Sequence, residues 1–199
     1  MLRGNSGVGE GIRMEKQEIR RTVLKALAAI PGPDPSEVAA AIYALEEYRK
    51  AETVLAYIPL KSEVDVSLFI DRALEDGKTV AFPDMEPGVF NIADRNWRLH
   101  LKTLENRTQT TEGCPVLNIN SCNGIVSSTK GIILVPGLAF TEFGTRLGRG
   151  AGYYDQLLAL MAQSGFADFT SMGICRKSQL VEELPQQPHD IKVDMVLAF

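Results

Sequence analysis

Two short apolar segments, each ended by a proline, limit the fold of this chain more than any other feature. Residues 53–58 stop at Pro59, residues 79–82 stop at Pro83, and residues 66–74 between them have helical spacing. Strand, helix and strand within about 30 residues predict a βαβ unit, whose two strands run parallel. A parallel sheet needs helices over both faces, so the pattern predicts an α/β domain.

The other apolar segments fit the same architecture. Residues 131–135 (GIILV) are the most apolar strand and are predicted to be central. Further strands are predicted at 170–175 and 193–198, and further helices at 15–30, 34–50 and 153–163. Residues 84–123 contain short alternating pieces that predict peripheral strands between loops. We therefore expect a three-layer α/β sandwich, with a central, mainly parallel sheet flanked by helices and with peripheral short strands.

Bulk composition fits one globular domain. The 199 residues are 45% apolar, enough to bury a core, and no internal repeat or linker divides them. Residues 1–13 are polar and rich in glycine, so we expect a disordered lead-in followed by a single domain at 14–199. The longest apolar run, 131–140, is interrupted by Pro136 and is too short to span a bilayer.

Charge and cysteine content exclude several classes of protein. The net charge of −4 gives no electrostatic reason to expect a nucleic acid or an anionic membrane as partner. The three cysteines are Cys114, Cys122 and Cys175; their number is odd and no pair has C-x-x-C spacing. This pattern disfavours a disulfide framework and a structural zinc site. We expect a cytoplasmic protein that acts as a monomer on small molecules.

A glycine-rich segment holds the sharpest chemical signal. Residues 144–155 read GTRLGRGAGYYD, in which alternating glycines leave backbone N–H groups free to converge on an anion. A predicted helix follows at once and adds its unpaired N–H groups. Arg146 and Arg149 supply positive charge and forked hydrogen bonds to phosphate oxygens. The segment matches neither standard nucleotide-binding loop. A flexible turn leading into a helix is the alternative, but a mere turn has no need for two arginines.

Two further cations lie on the inner face of the first predicted helix. At 100° per residue, Lys16 and Arg20 fall within roughly 40° of the middle of its apolar stripe. On the expected first turns the helix dipole disfavours positive charge, so a nearby anion would compensate. The alternative is that the long side chains cover apolar surface and keep their charged ends in water.

Several acidic residues complete the list of candidates. Asp155 lies in the first turn of the helix after the glycine-rich segment, and Asp190 and Asp194 lie near the C-terminus; carboxylates of this kind suit Mg²⁺. Each can equally be structural, Asp155 as a favourable charge at a helix start and the others in turns. Glu63 follows the first strand, at the end where parallel sheets bind ligands, although a solvated loop glutamate is the commoner case. His189 fits a surface residue better than a catalytic base.

These motifs together resemble the 5-formyltetrahydrofolate cyclo-ligase family over residues 15–199. The strongest part is VPGLAFTEFGTRLGRGAGYYD at 135–155. Supporting parts are KQEIR at 16–20, YIPLKSEVDV at 57–66 and LPQQPHDIKVDMVL at 184–197.

The resemblance implies an ATP-dependent reaction with assigned residues. The family moves the ATP γ-phosphate onto the formyl oxygen of 5-formyltetrahydrofolate, and N10 then closes the ring to give 5,10-methenyltetrahydrofolate. Carried over by motif, Asp155 and Asp190 would bind Mg²⁺, and Ile58 and Glu63 would contact the folate. Arg149 and Tyr154 are the catalytic candidates. The residues expected to hold ATP are Lys16, Arg20, Arg146, Gly148, Arg149, Gly150, Gly152, Tyr153 and Tyr154.

The sequence departs from the family pattern mainly on the folate side. Asp84 stands where an arginine is common, and residues 123–128 lack the usual aromatic residue and Glu-Pro turn; Ala151 replaces Gly or Lys. Two alternatives therefore stay open. One is a divergent ATP-dependent enzyme acting on another formylated or amine substrate, and the other is a non-catalytic protein that binds nucleotide or folate.

Overall fold

A computed structural model of the chain describes residues 6–83, 101–109, 115–122, 130–163 and 168–199. Its strands are β1 (Thr53–Leu55), β2 (Thr79–Pro83), β3 (Leu101–Gln109), β4 (Pro115–Cys122), β5 (Gly131–Pro136), β6 (Ala139–Phe140), β7 (Arg146–Leu147), β8 (Phe169–Cys175) and β9 (Met195–Ala198). Its helices are α1 (Ser6–Leu27), α2 (Pro35–Tyr43), α3 (Glu46–Lys50), α4 (Ser67–Glu75) and α5 (Tyr153–Gln163), with a 3₁₀ turn at Lys177–Gln179.

The described strands form a mainly parallel sheet. Its order is β4-β3-β2-β1-β5-β8-β9, and the five strands from β2 to β9 run parallel. The predicted βαβ unit is confirmed as β1-α4-β2, and β5 lies in the middle of the parallel group as predicted. Strands β3 and β4 pair antiparallel at one edge and are longer than the short peripheral strands we expected. Of the region 84–123, in which we predicted peripheral strands, residues 84–100, 110–114 and 123 lie outside the described part of the chain.

Apolar side chains alternate between the two faces of the sheet and produce two cores. Ile132 and Leu134 of β5 pack with the layer of α2 and α4, whereas Ile133 and Val135 pack with α5 on the other face. Every residue of β5 is buried. Parallel strands covered on both faces are apolar throughout, and this confirms the predicted three-layer sandwich.

Helix α1 corrects one prediction. It begins at Ser6 and ends at Leu27, so residues 6–13 are helical rather than part of a disordered lead-in. Glycines at 7, 9 and 11 each cost about 1 kcal/mol relative to alanine in a helix, so residue propensity does not predict this extension. Pro31 lies beyond the end of the helix, as predicted.

Strands β6 and β7 form a small hairpin, and one aromatic ring of this hairpin packs against the sheet. Phe140 is fully buried in this hairpin. A Cβ atom at Gly137 would lie 2.6 Å from the Phe140 ring, and one at Gly173 in β8 would lie 2.5 Å from it. The ring therefore fits only because both positions are glycine, and it fixes the hairpin that leads into the glycine-rich segment.

No helix in the described part of the chain combines the length and apolar character needed to cross a bilayer.

Candidate active site

A cavity of about 660 Å³ opens at the carboxyl ends of the central parallel strands. Its lining includes Ala56 and Tyr57, which follow β1, Pro83, which ends β2, and Pro136 and Gly137 at the end of β5. Open parallel sheets bind their ligands at this edge.

The site residues predicted from sequence, apart from Asp194, all line this cavity. They are Lys16, Arg20, Ile58, Glu63, Arg146, Gly148, Arg149, Gly150, Gly152, Tyr153, Tyr154, Asp155 and Asp190. The structure thus brings them together from distant parts of the chain, whereas the role of each toward a ligand stays a prediction.

The glycine-rich segment, residues 144–155, includes β7 and the first residues of α5 and lines the cavity. Gly150 and Gly152 have positive φ angles of 107° and 68°, as the alternating glycines predict. Helix α5 begins at Tyr153, so its free N–H groups follow the segment directly. The segment lines the cavity, and both of its arginines pair with carboxylates of the protein. We call this segment, with Lys16 and Arg20, the cationic side of the cavity.

Lys16 and Arg20 reach the cationic side from α1. Lys16 is 5% exposed, and its ammonium group forms an ion pair with the Asp190 carboxylate, which also accepts a hydrogen bond of 2.6 Å from the Gln187 N–H. Arg20 donates from Nε to the carbonyl oxygen of Gly148 at 2.8 Å. Burial lowers the pKa of Arg20, and the charge of Asp190 opposes that shift. The interpretation that Lys16 keeps its charged end in water is wrong.

The dipole argument made for these two cations also needs correction. Because α1 begins at Ser6, Lys16 and Arg20 lie beyond its first turns, where the effect of the dipole has faded. Their surroundings explain them instead: one is paired with a carboxylate and the other with a loop carbonyl.

Arg146 and Asp155 form a second buried ion pair. Arg146 Nη2 lies 2.9 Å from Asp155 Oδ1, and the Ile191 N–H donates to the same oxygen at 3.1 Å. The guanidinium also lies over the Tyr154 ring, 5.7 Å from its centroid. Its Nε is buried and has no hydrogen-bond partner within the described residues. Arg146 therefore has an unused donor in the lining of the cavity.

A third ion pair joins the glycine-rich segment to the loop after β1. Arg149 Nε donates to Glu63 Oε1 at 3.1 Å, and Arg149 Nη2 donates to the Ser62 hydroxyl. The second oxygen of Glu63 accepts from the Leu60 N–H at 3.0 Å. The Glu63 side chain is 8% exposed, whereas that of Arg149 is 39% exposed. Arg149 is therefore the partner that is free to move.

The loop after β1 gives the cavity an apolar side, which we define as Tyr57, Ile58, Leu60 and Phe82. Ile58 and Leu60 are 56% and 52% exposed, which is unusual for large aliphatic side chains in a cavity lining. The Tyr57 hydroxyl donates to the Val64 carbonyl at 2.9 Å. These four side chains offer apolar surface that can cover an apolar or planar group.

Two tyrosines of the cavity stay protonated at physiological pH. Burial raises the pKa of both the Tyr57 and the Tyr154 phenols above the usual range, and the charge of Glu63 adds to the shift. Neither phenol is suited to act as a general base near neutral pH.

Asp155 and Asp190 line the cavity, but Asp194 does not. The Asp194 carboxylate accepts from the Ser171 N–H at 2.7 Å and from the Ser171 hydroxyl at 2.6 Å, which shows a structural role. Within the described residues no three His, Cys, Asp or Glu side chains come together as a metal cage. The carboxylates in the lining are Glu63, Asp155 and Asp190, and the assignment of Asp155 and Asp190 to a metal ion stays a prediction.

Sequence reasoning missed several lining residues. Leu60, Phe82 and Gln187 were not named, and His189 was interpreted as a surface residue, although it is exposed at the lining of the cavity. Leu60 could have been found, since it lies between the predicted residues Ile58 and Glu63. The departures from the family pattern at Asp84 and 123–128 lie outside the described residues.

Comparison with known proteins identifies the family. The sequence model of the 5-formyltetrahydrofolate cyclo-ligase family matches residues 12–198. The chain belongs to this family of ligases. The resemblance noted from the sequence is therefore confirmed.

Individual relatives support the same conclusion. The chain is 33% identical to 5-formyltetrahydrofolate cyclo-ligase of Mycolicibacterium smegmatis over 149 residues, covering 73% of this chain and 72% of the relative. It is 28% identical to the mouse enzyme of that name over 162 residues, covering 78% and 77%. The solved structure of Aquifex aeolicus 5,10-methenyltetrahydrofolate synthetase superposes with a TM-score of 0.68 at 26% identity, covering 92% of this chain and 89% of that one.

Proposed function

We propose that this chain converts 5-formyltetrahydrofolate to 5,10-methenyltetrahydrofolate at the expense of ATP, with Mg²⁺. The observation that supports this most is a single cavity with two unlike sides, one cationic and rich in free amides, the other apolar with one carboxylate. Membership of the cyclo-ligase family supports the reaction type. A phosphate tail suits the first side and a planar ring system suits the second.

The cationic side is suited to the ATP phosphates. Lys16, Arg20, Arg146 and Arg149 are engaged with two aspartates, a glutamate and a carbonyl oxygen of the protein. Binding of ATP would exchange these acceptors for phosphate oxygens, so no cation needs to leave water at that step. The amides of residues 148–152 and the start of α5 would add neutral donors.

The two carboxylates fit a magnesium ion. Mg²⁺ usually takes one or two carboxylates, keeps several waters and binds phosphate oxygens, and Asp155 and Asp190 provide such a donor set. In this structure each pairs with a buried cation and accepts a backbone N–H: Arg146 and Ile191 for Asp155, Lys16 and Gln187 for Asp190. The metal ion would take the place of the cation when that cation turns to the phosphates. When bound, the ion would neutralise charge on the phosphoryl group in transfer.

The apolar side is suited to the folate. Ile58 and Leu60 would pack against its ring system, and Glu63 would accept hydrogen bonds from ring N–H groups. Glu63 Oε1 is occupied by Arg149, so this role requires that pair to open. Arg149 is the more exposed partner and would turn to the phosphates. One movement would thus prepare both sides.

The chemistry then needs positioning more than an activated side chain. The γ-phosphoryl group would pass to the formyl oxygen, breaking its bond to the ADP oxygen and giving an imidate-like phosphate. N10 of the same molecule would attack the activated carbon, and the former formyl oxygen would leave in phosphate, which takes up the N10 proton. Arg149 would neutralise charge on the transferring group, and Tyr154 would stay protonated and pack against Arg146. Closing a ring within one bound molecule gains from proximity.

The test is a direct assay. The protein is incubated with 5-formyltetrahydrofolate, ATP and Mg²⁺, and absorbance of the methenyl product is followed in the near ultraviolet. We expect the chromophore to appear with one ADP released per product molecule. ADP release without the chromophore would identify a divergent enzyme on another substrate, and ligand binding with neither product would identify a non-catalytic protein. Either result overturns the proposal.

A further inference from the structure

Arg176 is a buried cation that the proposed reaction does not use. It directly follows β8 and is 5% exposed. Its Nη1 donates to the carbonyl oxygen of Ile30 at 2.5 Å and to that of Leu27 at 3.4 Å, at the C-terminal end of α1. No carboxylate in the described part of the chain pairs with it. Its charge is balanced by these carbonyls and by the negative end of the helix dipole.

The backbone of Arg176 is fixed from the cavity side. Its N–H donates to Gln179 Oε1 at 2.8 Å, and Gln179 Nε2 donates to the carbonyl oxygens of Gly137 and Leu138 at 2.8 and 3.1 Å. Gly137 belongs to the lining of the cavity. One buried glutamine therefore ties Arg176 to the turn after β5, next to the proposed phosphate site.

Helix α1 also contacts the cavity through the two cations that serve the site. Lys16 pairs with Asp190, and Arg20 donates to the Gly148 carbonyl. In the proposed complex both side chains turn toward phosphate oxygens, and these contacts weaken. The contact of Arg176 with the end of α1 lies away from the phosphates and persists when ATP binds.

We propose that Arg176 is a positioning residue for ATP binding, which anchors the C-terminal end of α1 and so places Lys16 and Arg20 in the cavity. This inference rests on the ATP site proposed above. At 1.5 Å per residue, Lys16 lies about 16 Å along the axis from Leu27, so a tilt of about 5° moves it by about 1.4 Å. A misplacement of about 1 Å in a site can cost up to about 100-fold in rate.

The same contact adds little to stability by itself. A buried guanidinium loses its hydration, and the nearer carbonyl that it would leave belongs to Ile30, a residue that is 44% exposed, so water can replace the lost donor. Arg176→Met keeps the packing of the long stem and removes the N–H donors. We therefore expect this variant to separate positioning from folding.

The experiment measures equilibrium binding of a non-hydrolysable ATP analogue with Mg²⁺, and separately of 5-formyltetrahydrofolate, by calorimetry. For Arg176→Met we expect the Kd for the analogue to rise about tenfold while the Kd for folate changes less than about twofold. Amide hydrogen exchange in the last turns of α1 should accelerate. Arg176→Lys keeps one cationic donor and should lose less.

Arg49→Met is the matched control. Arg49 Nη2 donates to the Ala44 carbonyl at 2.7 Å, where α2 ends, so this arginine makes the same kind of contact away from the cavity. Its Kd for the analogue should equal that of the wild type.

Three results would overturn the proposal. They are analogue binding by Arg176→Met as tight as wild type, equal weakening in the control, and equal weakening for folate. If Arg176→Met does not fold, Arg176→Lys decides the same comparison. The readout is binding, so failure to form the methenyl product would refute the proposed function without deciding this inference.

Discussion

The two sides of the cavity differ in how they meet solvent. On the cationic side, Lys16 and Arg146 are almost fully buried and paired with carboxylates. On the apolar side, Ile58 and Leu60 are more than half exposed. In the proposed complex, ligand binding on the first side would exchange one anion for another, whereas binding on the second would cover apolar surface. We therefore expect removal of charge to affect ATP strongly, and we expect only Glu63 to give a comparable effect on folate.

The largest effect should come from Arg149→Ala. In the proposed mechanism this variant lacks the cation that would neutralise the transferring phosphoryl group, so kcat/KM for ATP should fall about 100-fold or more. Arg149 is partly exposed, and such ion pairs contribute only about 0–1 kcal/mol to stability, so the melting temperature should hardly change. Steady-state kinetics and thermal unfolding measure both. Unchanged kcat/KM for ATP would remove the glycine-rich segment from the mechanism, and Arg149→Lys controls for charge without the forked donors.

Glu63→Gln should act mainly on the other side. Replacing the buried carboxylate with a neutral amide should raise KM for folate about 30-fold, because charge-assisted hydrogen bonds to the ring are lost. KM for ATP should change by less than about threefold, since Arg149 loses only a partner that it must leave anyway. Kinetics with each substrate varied in turn measure the two effects. Equal changes for both would show that Glu63 does not belong to the folate side.

A smaller effect is expected from Asp155→Asn. The amide keeps the shape but binds Mg²⁺ weakly, so the Mg²⁺ concentration for half-maximal activity should rise about tenfold. Asp194→Asn is the control, because Asp194 bonds Ser171 away from the cavity. That variant should unfold at lower temperature with an unchanged Mg²⁺ dependence. A shift in Mg²⁺ dependence as large as that of Asp155→Asn would contradict the assignment.

The sequence predicted the layers of the fold well because β1, β2 and β5 are short and mostly apolar, and a proline ends or soon follows each of them. It failed at the start of α1, where the glycines and polar residues predicted disorder although the helix already begins at Ser6. It also underestimated the length of β3, the strand next to the edge strand β4, because its many polar residues lack the apolar run of a central strand.

The sequence predicted which residues line the candidate site, but it did not predict which of them form ion pairs with one another. The close spacing of glycines and arginines predicts an anion-binding segment, and this prediction does not depend on which residues pair with the arginines. The ion pairs join residues far apart in sequence, as with Lys16 and Asp190, and no local pattern reveals such a pair. Leu60 and His189 carry no chemical mark that separates a cavity lining from ordinary surface.

The packing of the Phe140 ring affects how the glycine-rich segment responds to substitution. Loops usually tolerate substitution, but this one begins at the hairpin of β6 and β7. The Phe140 ring of that hairpin packs against Gly137 and Gly173, where no side chain could fit. A single methyl group added on β8 would push the ring outward and shift Arg146 with it. Mutations deep in the sheet, which touch no ligand, should therefore alter phosphate recognition before they unfold the protein.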